Sequence, residues 1–223
     1  MPIRNPLRIF HITAIPNLAA IVKSKMLRAN TVLQKKKIQY ANIAYQGAQG
    51  KRATKLVARA PAGVIHDYVP FYFAPRSPML MAINGGRVAG CPYRQQDIVH
   101  FATTVEAVVD EELPFVFYDY NATLDYANCY NDLKHLDKID WDLFHEQPRL
   151  DGYCTYWFNN IDNPKYIRRM ETRQAEFLVY KSVPLTLMDC VGVYSPEKAA
   201  EVAKIVEDGD IEIPVEVKTA WYY

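Results

Sequence analysis

The sequence predicts an α+β protein built on one central β core with helices packed around it. Three observations carry this. Apolar runs rich in aromatic and β-branched residues are short and scattered along all 223 residues. Helical periodicities come in brief pieces that do not alternate with those runs, as a parallel βαβ sheet would require. Finally, half of the residues are hydrophobic and 13% are aromatic, enough for one substantial core, and no internal repeat or low-complexity stretch intervenes. Residues 1–223 are therefore read as a single domain.

Taken in order, Leu7 to Ile12 is an apolar run expected to be the first strand, ending at His11-Ile12-Thr13. Pro16 follows where a first helical turn tolerates a missing N–H, and Leu18, Ile21, Val22 and Met26 then recur at helical spacing. His11 and Thr13 thus lie where a strand runs into a helix, a place where free N–H groups attract phosphate; a structural histidine is the alternative. Residues 30 to 66 are less regular, with Lys35-Lys36-Lys37 and then a short helix or loop over Gln46 to Val57 that carries Arg52 and Lys55. Gly47 and Gly50 lack phosphate-loop spacing.

Tyr68 to Ala74 reads as a buried strand, stopped by Pro75 and Pro78, which offer no donor to a ladder. It delivers Tyr72 to a corner followed by Arg76 and Ser77, a good lining for a cleft. Pro78 to Ile83 is a brief helix ended by Gly85-Gly86. Asp97 to Ala102 and Pro114 to Tyr118 are further strands, with Thr103 capping a short helix through Val109. Asp132 to Phe144 has helical spacing. Pro148 to Asn163 crowds Arg149, Tyr153, Tyr156, Trp157 and Phe158 into a loop, either to stack on nucleobases or to fold onto a small core of its own.

Pro164 to Arg173 is expected to be a basic helix. In Gln174 to Tyr180, strand alternation puts Ala175, Phe177 and Val179 on one face and Glu176 with Leu178 on the other. A carboxylate on so apolar a strand is costly unless it is paired or faces a cleft. Leu185 to Val193 is another strand, Ser195-Pro196-Glu197 opens an amphipathic helix with Pro in its first turn, and Ile211 to Lys218 closes the sheet.

Net charge is +1, yet residues 1 to 66 hold twelve Lys or Arg and no acid, and the rest holds all twenty-five acids. A basic end on an acidic body suits either a polyanion-facing surface or a lysine-rich solvated face. Cys91, Cys129, Cys154 and Cys190 lie far apart, as free thiols do, and no metal site is expected. No apolar run approaches the ~18 residues of a membrane span. A cytoplasmic location without membrane contact is expected.

Several segments together resemble a known family: His11-Ile12-Thr13 with Asn17-Leu18, Arg52, His66 through Leu80, Leu113-Pro114-Phe115-Val116-Phe117, Gln174 through Val179, and Trp221-Tyr222-Tyr223. His11, Tyr72 and Glu176 resemble the His–Tyr–Glu set of PARP-like ADP-ribosyltransferases, and the whole is similar to DarT-type DNA ADP-ribosyltransferase toxins. The resemblance implies the ADP-ribosyltransferase fold with a central mixed β core, NAD⁺ as co-substrate, and a base of single-stranded DNA, typically thymine, as acceptor. It implies that His11 and Thr13 hold the adenosine-side ribose and the nicotinamide amide, with Asn17 beside them in the NAD-binding set. Tyr72 packs on the nicotinamide ring, Ser77 supports that pocket, and Glu176 bonds the nicotinamide-side ribose. Arg52 contacts the diphosphate or the acceptor base and assists its deprotonation. Met79, Arg76, Arg149, Tyr153 and Trp157 are placed on the acceptor side. The implied partner is an antitoxin of the DarG kind, carrying a macrodomain that removes ADP-ribose.

These residue types suit the chemistry. Cleaving the nicotinamide–ribose bond builds positive charge on the sugar, which a carboxylate stabilises more in the transition state than in the ground state. Where many relatives have a histidine after the Leu113-to-Phe117 strand, this chain has Asn121. The choice of base is therefore open, and so is transfer to guanine, RNA or protein. A non-catalytic module binding single strands is the reading from another class.

Overall fold

The computed structural model describes residues 3–223. In chain order its strands are β1 (Arg8–Ala14), β2 (Met26–Arg28), β3 (Tyr68–Tyr72), β4 (Ile98–Thr104), β5 (Phe115–Tyr118), β6 (Cys129–Tyr130), β7 (Arg149–Leu150), β8 (Tyr153–Cys154), β9 (Glu176–Tyr180), β10 (Ser182–Pro184), β11 (Cys190–Val193) and β12 (Val215–Val217). The helices are α1 (Leu18–Ser24), α2 (Asn30–Lys35), α3 (Gln46–Thr54), α4 (Pro78–Asn84), α5 (Val105–Asp110), α6 (Asp142–His145), α7 (Arg169–Thr172) and α8 (Pro196–Asp208). Eight strands make one sheet in the order β12-β11-β4-β1-β3-β9-β5-β6. Its neighbours are antiparallel except the parallel edge pair β11–β12, so the sheet is mixed.

The sheet is nearly split down its middle. β1 pairs with β4 at seven positions and β3 with β9 at five, but β1 meets β3 only at Phe10↔Tyr72. Pro70 has no N–H to give this seam. Its carbonyl instead bonds Nδ1 of His11 at 2.8 Å, so a side chain bridges the gap where the ladder stops.

The alternation read from Gln174–Tyr180 is realised. Ala175, Phe177 and Val179 enter the main core with Phe71, Phe73 and Phe101. Leu178 faces a smaller cluster of Val57, Ile65, Tyr68, Val116 and Tyr118 on the opposite side. Glu176 shares that second face. The C-terminal segment is part of the main core: Trp221 is fully buried, and a Cβ at Gly192 would lie 2.3 Å from its ring. Only glycine lets β11 accept the indole so closely.

Several expected elements need correction. Thr104, not Thr103, caps α5, accepting from Ala107 N at 3.1 Å, while Thr103 donates to Leu187 O at 2.6 Å. The strand expected over Leu185 to Val193 is a 3-10 turn followed by β11, and only Val215–Val217 of the expected closing strand pairs. The basic helix of 164–173 is a 3-10 turn plus the short α7, because Arg169 and Arg173 turn inward and bury. Asp132 to Phe144 likewise divides into a 3-10 turn and α6. The small sheet β2–β10 went unread, since three-residue strands carry too little pattern. All four cysteines are free, and among the described residues no helix is long and apolar enough to cross a membrane.

Candidate active site

Glu176 opens β9 and stands directly between Tyr72 on β3 and Tyr118 on β5 in the sheet register. Paired residues share a face, so the three side chains form a row. The carboxylate is 1% exposed. Arg52 of α3 answers its charge: Nη1 donates to Oε1 at 3.1 Å and to Oε2 at 2.8 Å. The Arg52 side chain is 12% exposed. The Ala122 N–H adds a long contact of 3.4 Å to Oε1. Burial, reinforced by the charge of Glu176 and opposed by that of Arg52, raises the Tyr72 phenol well above its usual range. Tyr72 therefore stays a neutral aromatic donor.

Beside this row lies a cavity of about 410 Å³, lined by His11, Thr13, Asn17, Arg52, Tyr72 and Met79 together with residues of α1, α2 and the 38–45 loop. Its size falls in the range of ligand pockets. Six of the expected NAD-binding, catalytic or acceptor residues are thus brought together. Glu176 is not on the lining, but Arg52, paired to it, is. Asn17 builds one wall, since its Oδ1 accepts from Ala41 N at 2.6 Å and its Nδ2 donates to Ala41 O at 3.0 Å and Thr13 Oγ1 at 2.9 Å. This amide clamps the 38–45 loop to the end of β1. Ser77 stands behind the cavity rather than on it: Oγ accepts from Leu80 N at 3.1 Å and caps α4, which presents Met79 and Ala82. Burial lowers the His11 imidazole, with the Pro70 carbonyl opposing.

The expected acceptor contacts divide. Arg149 is exposed at β7. Arg76 is buried and donates to the carbonyls of Ala220, of Tyr153 at 3.0 Å and of Leu150 at 3.4 Å. Tyr153 and Trp157 are buried as well, Trp157 beneath the Arg173 guanidinium at 4.6 Å. Direct contact of Arg76, Tyr153 or Trp157 with a nucleic acid is therefore corrected: a guanidinium sharing three main-chain carbonyls, and rings without exposed faces, hold the loop in place. Tyr156 and Phe158 of the same loop are the exposed rings, at 54% and 68%.

The sequence marks Asn121 on the far wall without giving it a role, and it does not mark Thr123 or Gln174 as site residues. Asn121, Thr123 and Gln174 line the cavity next to Glu176, with Asn121 Nδ2 donating to Gln174 Oε1 at 3.3 Å and Asn121 Oδ1 accepting from Thr123 Oγ1 at 2.6 Å. Gln174, two residues before Glu176 along the chain, could have been found from strand alternation. The 119–128 loop is closed by Asp119, which accepts from Asn128 N and Nδ2 at 2.8 Å each, and is tied to the end of α3 by Lys55 Nζ donating to Leu124 O at 2.5 Å. Burial, as the leading cause, lowers the Lys55 ammonium. His66 also lines the cavity, bonded through Nε2 to Gln49 Oε1 at 2.7 Å.

A shielded carboxylate paired with a guanidinium, beside a cleft walled by rings and amides, can stabilise positive charge developing on a bound sugar. Among the described residues no group of three or more His, Cys, Asp or Glu could hold a metal ion.

Comparison with known proteins follows the same line. The sequence model of the family described as "DarT: ssDNA thymidine ADP-ribosyltransferase" matches residues 10–223. A protein named "DNA ADP-ribosyl transferase" from Thermus sp. (strain 2.9) is 38% identical over 223 residues, covering 98% of this chain and 97% of that protein. The solved structure of Thermus sp. 2.9 DarT in complex with ADP-ribosylated ssDNA superposes with a TM-score of 0.87 at 35% identity, covering 100% of this chain and 99% of the other. The same Thermus protein in complex with NAD⁺ superposes at 0.82 and 33% identity, each chain covered in full.

Proposed function

The chain belongs to the DarT family of NAD-dependent DNA ADP-ribosyltransferases, and from that premise we propose that it transfers ADP-ribose from NAD⁺ to a thymine base in single-stranded DNA. The observation that carries the assignment of roles is the Tyr72–Glu176–Tyr118 row, with Arg52 paired to its carboxylate at 2.8 Å and facing the cavity. In this reading His11 and Thr13 hold the dinucleotide at the seam between β1 and β3. Asn17 keeps the 38–45 wall in place, and Tyr72 packs against the nicotinamide ring. A nicotinamide riboside reaching Glu176 exchanges contacts with the Arg52 guanidinium, which then turns toward the diphosphate or the acceptor. Glu176 stabilises the cationic sugar as the nicotinamide bond breaks.

The acceptor side is formed by Met79 with Arg149, and by the exposed rings of Tyr156 and Phe158, which offer open surface for stacking on bases. Arg76, Ser77, Tyr153 and Trp157 act from behind by holding these elements. The chain acts as one catalytic domain over residues 1–223, in the cytoplasm, as the toxin of a toxin–antitoxin pair. A covalent base adduct is undone only by cutting the ribose–base bond, which is why the fitting antitoxin is a macrodomain hydrolase of the DarG kind.

The test is incubation with labelled NAD⁺ and panels of DNA, RNA and protein, with mass mapping of the adduct. ADP-ribose on thymine of single-stranded DNA is expected. Glu176→Gln should lower transfer by about 100-fold or more, while salt-sensitive single-strand binding persists. Transfer retained by Glu176→Gln would remove the role given to the carboxylate. An adduct on RNA, protein or guanine would overturn the acceptor.

A further inference from the structure

When a ring nitrogen of an imide such as thymine bonds to carbon, its proton has to leave. Arg52 is a permanent cation and donates only, Glu176 is occupied by Arg52, and the Tyr72 phenol is held protonated. Two imidazoles line the cavity, His11 and His66. His11 sits in the β1–β3 seam against Pro70, and no ionised group perturbs it notably. His66 lies against α3. Gln49 and Arg52, three residues apart on α3, face the same way: Gln49 holds His66 and Arg52 holds Glu176. The residues that hold the imidazole and the carboxylate are thereby about one helical turn, ~5 Å, apart along α3.

The Nε2 bond to Gln49 Oε1 puts the ring proton on Nε2, leaving the Nδ1 lone pair free. No described residue engages Nδ1. Building on the DNA-base reading above, we propose that His66 Nδ1 receives the proton that the acceptor base loses during transfer. The acceptor nitrogen bonds to C1′ of the ribose as the bond from C1′ to nicotinamide breaks, its electron pair leaving with nicotinamide. The acceptor N–H bond breaks, its electrons remain on nitrogen, and the proton passes to Nδ1 and then to water. NAD⁺ and the base thus give ADP-ribosylated base, nicotinamide and one proton.

The surroundings suit a base that is neutral at pH 7. Burial and, next, the Arg52 charge lower the His66 imidazole below its usual 6.5, with Asp67 opposing. Asp67 is itself engaged by Lys181 Nζ at 2.5 Å, Thr31 Oγ1 at 2.8 Å and Val64 N at 2.9 Å. The other charges on the packed elements, Lys51 of α3 and Lys35 of α2, are exposed. A His66 imidazolium beside Arg52 is disfavoured, so the proton moves on to solvent.

The experiment uses the whole chain, NAD⁺ and a thymine-containing single-stranded oligonucleotide, with adduct formation followed against pH. Wild-type transfer must be seen first; its absence would overturn the DNA-base reading and not the role of His66 within it. Wild type should lose rate as pH falls below 6.5. His66→Ala should lower transfer by about 100-fold, remove that acid limb, leave NAD⁺ affinity unchanged and regain rate when imidazole is added. His66→Gln, which keeps a polar side chain but cannot take a proton, should show the same loss and decides the matter if His66→Ala does not fold. Wild-type rates in His66→Gln, or a loss that imidazole does not relieve and that tracks weaker NAD⁺ binding, would overturn the proposal.

Discussion

At the scale of single residues, the Arg52–Glu176 pair decides most. Glu176 lies in a nearly closed site, where a guanidinium meets both of its oxygens. The two partners are not equivalent. Arg52 borders the cavity on a short helix, whereas Glu176 is 1% exposed and fixed in the sheet at the start of β9. Arg52→Ala therefore strands a buried carboxylate and should cost about 3 kcal/mol of stability. Glu176→Gln should cost clearly less. Thermal unfolding of the two variants tests this asymmetry, and equal losses would mean that the pair is not the buried charge contact described. Position 121 shows the same principle on a smaller scale. Asn121 sits between Thr123 and Gln174 and presents an amide to the cavity.

At the scale of elements, the cavity walls are irregular segments held by a few polar ties. Asn17 makes the 38–45 loop a wall by two hydrogen bonds to Ala41 and one to Thr13 of β1, each contributing about 1 kcal/mol net. Asn17→Ala is expected to speed amide exchange over residues 38–45 and to weaken NAD⁺ binding at least tenfold, while β3–β9 exchange is unchanged. The 148–163 loop works in two layers. Trp157 is packed under Arg173, whose Nη1 also donates to Cys154 O at 2.8 Å, so Trp157→Ala should destabilise the fold by about 3 kcal/mol. Tyr156→Ala or Phe158→Ala should leave stability within about 0.5 kcal/mol. Either should weaken single-strand binding by roughly 1–3 kcal/mol, as lost base stacking does. Melting and DNA titration of the three variants separate the layers.

At the scale of the whole molecule, the C-terminal segment locks the sheet from one side. His100 of β4 bonds Pro75 O at 3.0 Å and lies edge-on to Tyr222, whose hydroxyl donates to Ile98 O at 2.8 Å and Gly192 O at 3.1 Å. Burial pushes His100 down to about 4, so it is neutral in the fold. The unfolded chain takes up this proton near the usual 6.5. Its contribution is thus complete above that value and is lost as pH falls toward 4, by about 3 kcal/mol. His145, also lowered by burial to about 4, acts in the same direction. Melting temperature should drop through this window, and His100→Gln, which carries no titrating group, should flatten the drop. An unchanged slope would show that His100 is not the group responsible.

The sequence by itself determined the periodic parts. The alternation that sends Phe177 and Val179 one way and Glu176 with Leu178 the other, the prolines that end β3, the Pro-started α8 and the motif carrying His11, Tyr72 and Glu176 are all local, and local pattern writes them directly. Only the tertiary structure decided what meets across distance. Arg52 reaches Glu176 over 124 positions, Arg76 faces inward onto Ala220 over 144, and His66 lines the same space as Asn121. Such pairings rest on the β1–β3 seam and on which rings the core admits. Those are set by packing summed over the whole sheet, and no single window of residues contains it.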